Sequence, residues 1–163
     1  MNDSWEKLLS ECQSCQACSL CKTRTNCVFG AGNRRAKLLF VGEAPGDNED
    51  KTGRPFIGRA GKLLDEFLEA VGLSRDEVYI ANILKCRPPK NRDPLPSEEA
   101  ACIDFLHRQI ALIEPQIIVC LGRISAMKLI KPDFKITKEH GVLFERDGVL
   151  MTAVYHPALL LRD

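Results

Sequence analysis

A chain of 163 residues with 45% hydrophobic residues and a formal charge of +1 is expected to form one domain, residues 1–163, around a core of its own. Its near-neutral balance excludes nucleic-acid binding by bulk electrostatics, so any such role must rest on a local patch. No apolar stretch approaches the roughly 20 residues of a membrane span, and the N-terminus lacks a basic-then-apolar signal pattern; the expected setting is the cytoplasm, with no membrane partner.

Residues 1–14 read as a helix with Trp5, Leu8, Leu9 and Cys12 on one face. Cysteines then recur at Cys12, Cys15, Cys18 and Cys21, with Cys27 nearby. In a cytosolic chain such clustering points to metal or redox chemistry rather than disulfides. Two intervening residues let neighbouring thiolates converge on one metal centre. The bacterial ferredoxin run is C-x2-C-x2-C-x3-C-P; here the last interval is one residue short and no proline follows Cys21. A structural zinc is also compatible with the spacing, and small buried hydrophobes are the bland alternative.

Leu38-Leu39-Phe40-Val41 is too short for a helix and is bounded by Gly42, so it reads as a buried strand. It breaks into a loop from Gly42 to Asp50 dense in Gly, Pro and carboxylates. After Arg59 a helical face begins, with Ala60, Leu63, Leu64, Phe67, Leu68 and Val71, ended by Gly72. Strand, polar loop and helix in that order place the loop at the carboxyl edge of an α/β sheet, where such folds bind ligands. The loop's Gly42-x-x-x-Gly46 lacks both the P-loop's Gly-Lys-[Ser/Thr] and the dinucleotide-binding spacing, which weakens a nucleotide-phosphate reading.

Val78 to Leu84 is a second strand. It runs into Lys85-Cys86-Arg87-Pro88-Pro89-Lys90-Asn91-Arg92, four cations in eight residues, stiffened by proline and suited to a phosphate backbone or to plain solvation. Ser97 is the expected N-cap of the next helix, which carries Cys102, Phe105, Leu106, Ile110 and Ile113 inward. Cys86 and Cys102 are candidates to reach the N-terminal cysteines. Ile117–Leu121 is a third buried strand in which Cys120 is core, and Gly122 opens a short helix. Asp147-Gly148 marks a hairpin, after which a last strand delivers Tyr155-His156-Pro157-Ala158. His107 and His140 read as solvated, whereas His156 ends a strand at the ligand-binding edge.

Four segments together, Gly42–Gly46, Lys51–Gly61, Asn82–Pro89 and His156–Ala158, resemble the family 4 uracil-DNA glycosylases, the iron–sulfur type of bacteria and archaea. The resemblance runs from about Cys15 to Arg162. It implies a three-layer α/β/α sandwich with a central four-stranded parallel sheet, and hydrolysis of the N-glycosidic bond of uracil in single- or double-stranded DNA by a monomer. It also implies a structural [4Fe–4S] cluster on Cys15, Cys18, Cys86 and Cys102. A cluster held by the N-terminal run alone is the rival arrangement, with Cys12 and Cys21 as competitors.

By the same resemblance, Phe56 stacks on the extruded base, Asn82 pairs with its polar edge, and His156 donates to uracil O2. Gly42 and Ala44 line the base pocket. The better-known uracil glycosylases carry an aspartate at the position of Ala44, so water activation falls to Glu43, Glu49 or Asn91, with Glu49 alternatively a wall against the thymine methyl. Arg54, Arg59, Lys62, Lys85, Arg87, Lys90 and Arg92 are the implied DNA contacts, with Leu159–Leu161 as a wedge. Relatives of this type run past the position of Asp163 through a basic loop and a last helix. The alternative reading is therefore an inactive or weakly active DNA-binding relative that keeps cluster and pocket.

Overall fold

The computed structural model describes residues 3–160. Helix α1 (Trp5–Gln13) begins where Ser4 Oγ accepts the Lys7 N–H at 3.1 Å, inside the 1–14 span expected from its apolar face. It buries Leu8 and Cys12. Arg108 holds it to the rest of the chain by ion pairs with Asp3, at 2.8 Å, and with Glu11. The two-residue strand β1 (Ala31–Gly32) precedes β2 (Leu38–Gly42), whose burial on both faces explains its unbroken apolar run.

The carboxylate-rich loop that follows contains a short helix, α2 (Asp47–Thr52), which corrects the expectation of irregular chain. Helix α3 (Arg59–Ala70) and strand β3 (Tyr79–Asn82) come next. Helix α4 (Pro96–Ile113) starts one residue before Ser97, with Leu95 as N-cap and proline at its first position. Glu98 rather than Ser97 closes its first turn, accepting the Leu95 N–H at 2.9 Å and a two-pronged Arg92 pair at 2.8 and 2.7 Å. The chain continues through β4 (Ile117–Leu121), α5 (Arg123–Leu129), α6 (Ile136–Glu139), β5 (Phe144–Arg146), β6 (Val149–Val154) and α7 (Pro157–Leu160). Asp147 and Gly148 both have positive φ between β5 and β6, as the hairpin signal requires.

The sheet order is β1-β3-β2-β4-β6-β5. The inner four strands are mutually parallel, and the two edge strands are antiparallel additions. The four-stranded parallel centre is therefore present within a mixed six-stranded sheet. Period-two alternation sorts its side chains. Leu39, Val41, Ala81, Ile118, Cys120 and Ala153 face α4, meeting Leu106 and Ile113. Phe40, Ile80 and Leu121 face the opposite side, meeting Leu64 and Leu68 of α3. Helices on both faces make three layers. Among the described residues no helix is long and apolar enough to cross a membrane.

Two glycines at the start of α3 differ in what they permit. A Cβ on Gly61 would run into the backbone carbonyl of Phe56, whereas one on Gly58 would meet the flexible end of Asn48 at 3.2 Å. In chemical denaturation Gly61→Ala is expected to cost roughly 1–3 kcal/mol by overpacking. Gly58→Ala is expected to cost clearly less.

Candidate active site

Parallel pairing of β2 with β3 sets Gly42 directly opposite Asn82 at the carboxyl ends of both strands. A Cβ on Gly42 would lie 2.5 Å from Asn82 Oδ1 and 2.5 Å from Phe56 Cζ, so glycine is what lets the amide and the ring close over the strand end. Asn82 is 1% exposed, and its Oδ1 has no hydrogen-bond partner. An unpaired buried acceptor costs roughly 1–3 kcal/mol, a cost removed by any ligand that donates to it.

Phe56 itself has a φ of 50°, an uncommon conformation for an aromatic residue. Arg75 holds it there, donating to the carbonyls of Pro55, at 3.0 Å, and of Phe56. Its ring is 5.6 Å from that of His156, at an interplanar angle of 32°. The Ala158 N–H donates to His156 Nδ1 at 3.0 Å. Nδ1 is thereby an acceptor, and the proton of the neutral ring sits on Nε2. Burial lowers the His156 pKa from its ordinary value, with the Glu49 charge opposing, so the ring is neutral at pH 7.

Glu43, Glu49, Phe56, Asn82, Asn91 and His156, all singled out from the sequence, line one cavity of about 650 Å³, and so does Ala44. Glu49 is not a free carboxylate: Oε1 accepts from Gly46 N–H at 2.9 Å and Oε2 from Ile57 and Gly58 N–H at 3.0 Å each. It ties the first turn of α2 to the loop carrying Phe56. Asn91 Oδ1 accepts from Arg87 Nε at 2.7 Å. Glu43 is pushed up to about 7, first by burial and then by the Asp93 charge, with Arg123 opposing.

Asp93, Arg123, Ile136 and Tyr155 also line the cavity and were missed in the sequence. Tyr155 alone carried a signal, as the neighbour of His156. His140, expected to be merely solvated, is exposed but stacks on Tyr155 with centroids 4.9 Å apart.

A family model described as the uracil DNA glycosylase superfamily matches residues 29–163. A type-4 uracil-DNA glycosylase of Archaeoglobus fulgidus is 48% identical, covering 98% of this chain and 84% of the relative. Type-4 enzymes of Sulfurisphaera tokodaii, 48% identical over 98% of this chain and 76% of the relative, and of Thermotoga maritima, 47% over 93% and 80%, match similarly. The chain belongs to the type-4 uracil-DNA glycosylases.

In this glycosylase six cysteines border a second cavity: Cys12, Cys15, Cys18 and Cys21 from the N-terminal segment, with Cys86 and Cys102. Among the described residues no three Cys, His, Asp or Glu side chains converge as the ligands of a single ion. Cys12 Sγ lies 2.8 Å from Cys27 Sγ, so Cys12 already has a partner outside the set. Hydrogen bonds reach three of the other sulfurs: Arg24 Nη1 to Cys86 at 3.0 Å, Lys85 N–H to Cys102 at 3.2 Å, and Ala17 N–H to Cys15 at 3.5 Å. Cys120, at 0% exposure, is core as expected.

The basic loop departs from expectation. Lys85 is 1% exposed, and its ammonium donates to Asn82 O at 3.0 Å and Gln109 Oε1 at 2.7 Å. It cannot touch a phosphate; its role is to hold the end of β3. Arg92 is taken up by Glu98, and Arg87 by Asn91 and, at 3.6 Å, Asp47. Both are internal braces in this structure. Arg54 and Arg59 are exposed and remain placed for an outside partner. Leu159 lies at the cavity rim, Leu160 is exposed, and Leu161 lies outside the described residues. Lys85→Ala would leave two buried acceptors unpaired, and is expected to cost roughly 2–4 kcal/mol in denaturant unfolding. Arg54→Ala should change stability by less than about 0.5 kcal/mol.

Proposed function

We propose that this chain hydrolyses the N-glycosidic bond of uracil in DNA, acting as a monomer on a base extruded into the 650 Å³ cavity. The observation that carries this reading is the buried, orphaned Asn82 Oδ1 in the cavity wall beside Phe56. A uracil ring lying on Phe56 offers N3–H to that oxygen, while the Asn82 Nδ2 donates to O4. Cytosine presents an acceptor at N3 and a donor at C4, which would set acceptor against acceptor and donor against donor. The unpaired groups would then reject it.

As the C1′–N1 bond breaks, negative charge gathers on uracil O2. A neutral His156 with its proton fixed on Nε2 supports a donor role there, worth roughly 2–4 kcal/mol by comparison with other preorganised donors to a developing anion. Water enters from the Glu43 side of the cavity. With both carboxylate oxygens bound to backbone N–H groups, Glu49 serves better as a rigid wall against a 5-methyl group than as a base. The exposed cations Arg54 and Arg59 are the proposed phosphate contacts.

A [4Fe–4S] cluster is proposed on Cys15, Cys18, Cys86 and Cys102. Burial pushes the free thiols of Cys86 and Cys102 up to about 12 and about 11 respectively. The Arg24 guanidinium on Cys86 and the Lys85 N–H and charge at Cys102 oppose that push and favour the thiolate form. When bound, the cluster supplies a structural cross-link and no hydrolytic chemistry. It would join the N-terminal segment, the end of β3 and α4, bracing the same turn that presents Asn82.

The test is release of uracil from a uracil-containing oligonucleotide under single-turnover conditions. Wild-type chain is expected to yield free uracil and an abasic strand. Asn82→Ala should abolish this, and His156→Ala should slow it by about 10²–10³-fold. Tight DNA binding without release would overturn the enzyme reading in favour of a binding protein. For the cluster, the purified chain is expected to contain iron and acid-labile sulfide in equal amounts, lost in Cys86→Ser; stoichiometric zinc instead would contradict it.

A further inference from the structure

Two cysteines stand apart from the proposed iron ligands. Cys12 lies in the last turn of α1 and Cys27 in the segment before β1; both are free thiols, and their sulfurs are 2.8 Å apart. That is closer than two unbonded sulfur atoms ordinarily pack, and within about 1 Å of the roughly 2.05 Å disulfide bond. The chain on either side holds them there. Before Cys27, the Asn26 N–H donates to Asp50 Oδ1 at 3.2 Å and its side-chain amide to the Asp50 carbonyl at 2.8 Å. After it, the Val28 N–H donates to Lys85 O at 2.7 Å. Opposite, α1 is fixed by the Arg108 ion pairs with Asp3 and Glu11, and Cys12 packs with Leu8 and Phe29. Two anchored segments therefore set the approach.

The two thiols face different surroundings. Cys12 is 1% exposed and borders the cysteine cavity. Cys27 is half-buried and lines a third cavity, of about 280 Å³, with Gly30, Gly32, Arg34 and Gly53. A small reagent entering there meets Cys27 first, with Cys12 behind it. A proton kept on Cys12 favours the thiolate at Cys27, with burial opposing and the charges of Lys85 and Arg24 adding.

We propose that Cys12 and Cys27 are a site of reversible disulfide formation, with Cys27 the attacking sulfur and Cys12 the resolving one. The oxidant is a small-molecule disulfide such as glutathione disulfide. The Cys27 thiolate attacks one of its sulfurs, forming a mixed disulfide and expelling one glutathione thiolate. The Cys12 thiolate then attacks the Cys27 sulfur; the Cys12–Cys27 bond forms and the second glutathione thiolate leaves. The protons of the two protein thiols end on the two released glutathiones, and the two electrons lost by the protein are gained by the reagent. The new bond ties the end of α1 to the segment before β1 across a sequence separation of 15 residues. It also takes Cys12 out of the N-terminal cysteine run, so that iron bound alongside cannot recruit that thiol.

The experiment equilibrates the full chain, as purified, anaerobically with glutathione and glutathione disulfide, quenches in acid, alkylates the free thiols and maps the tryptic peptides. Peptide Thr25–Arg34 is expected joined to Leu8–Lys22 through Cys12, and excess dithiol should part them. Oxidised wild type should melt roughly 6–12 °C above reduced wild type. That difference should vanish in Cys12→Ser and in Cys27→Ser, while iron per chain stays as in wild type. No cross-link at any glutathione ratio, or one joining Cys27 to Cys15, Cys18 or Cys21, would overturn the disulfide site. Loss of iron in Cys12→Ser but not in Cys27→Ser would overturn it too, by placing Cys12 among the iron ligands. A chain that forms the Cys12–Cys27 bond but releases no uracil would uphold the pair and sink only the glycosylase reading.

Discussion

The contact on which the site depends is that between the bare Cα of Gly42 and the two groups lying on it, the Asn82 amide and the Phe56 ring. The parallel register of β2 and β3 puts Gly42 across from Asn82. Absence of a side chain at Gly42 allows the closure, which leaves Asn82 Oδ1 buried with no hydrogen-bond partner. A flat aromatic face beside a buried, unpaired acceptor is thus built into the ends of two strands. Rigid strands hold such a geometry better than loops do.

The surrounding structure works to keep that contact. Arg75 grips the carbonyls around Phe56, Gly61 lets α3 pack against its backbone, and Glu49 ties α2 to the following loop. Below the strand end, Lys85 joins the Asn82 carbonyl to Gln109, which itself donates to Phe29 O at 2.9 Å. The cysteine cavity is the neighbour of this same turn: Lys85 N–H points at Cys102 while its side chain supports Asn82. Ala44 lines the base cavity and also packs in the cluster of side chains around Leu84 and Cys86. A group bound by the cysteines would therefore lie one residue layer from the base pocket. This is the bracing role proposed for the cluster.

The parallel strands were legible because burial on both faces leaves short, unbroken apolar runs, and the hairpin because Asp147-Gly148 meets a specific backbone need. His156 was legible as a polar residue at a strand end, whereas Asn82, inside the expected second strand Val78 to Leu84, stood out only through the family resemblance. What escaped is what depends on contact across the chain. Helix α2 has no apolar period; it exists because the Glu49 carboxylate gathers distant N–H groups. Lys85 reads as one more cation in a basic loop, and only Gln109, on another element, reveals it as a buried brace. Ser97 lost its capping place because Pro96 suits the first helical position and Glu98 supplies the closing acceptor. Asp93 and Arg123 carry no local motif, so their meeting beside Glu43 is a property of the fold alone.

The most direct measurement of the central claim is a crystal structure of the intact chain bound to uracil-containing DNA after base release. The account predicts the uracil ring lying flat on Phe56, its N3 within hydrogen-bonding distance of Asn82 Oδ1, and His156 Nε2 at O2. A uracil found outside the cavity, or Asn82 Oδ1 satisfied by a protein donor with the base elsewhere, would contradict it.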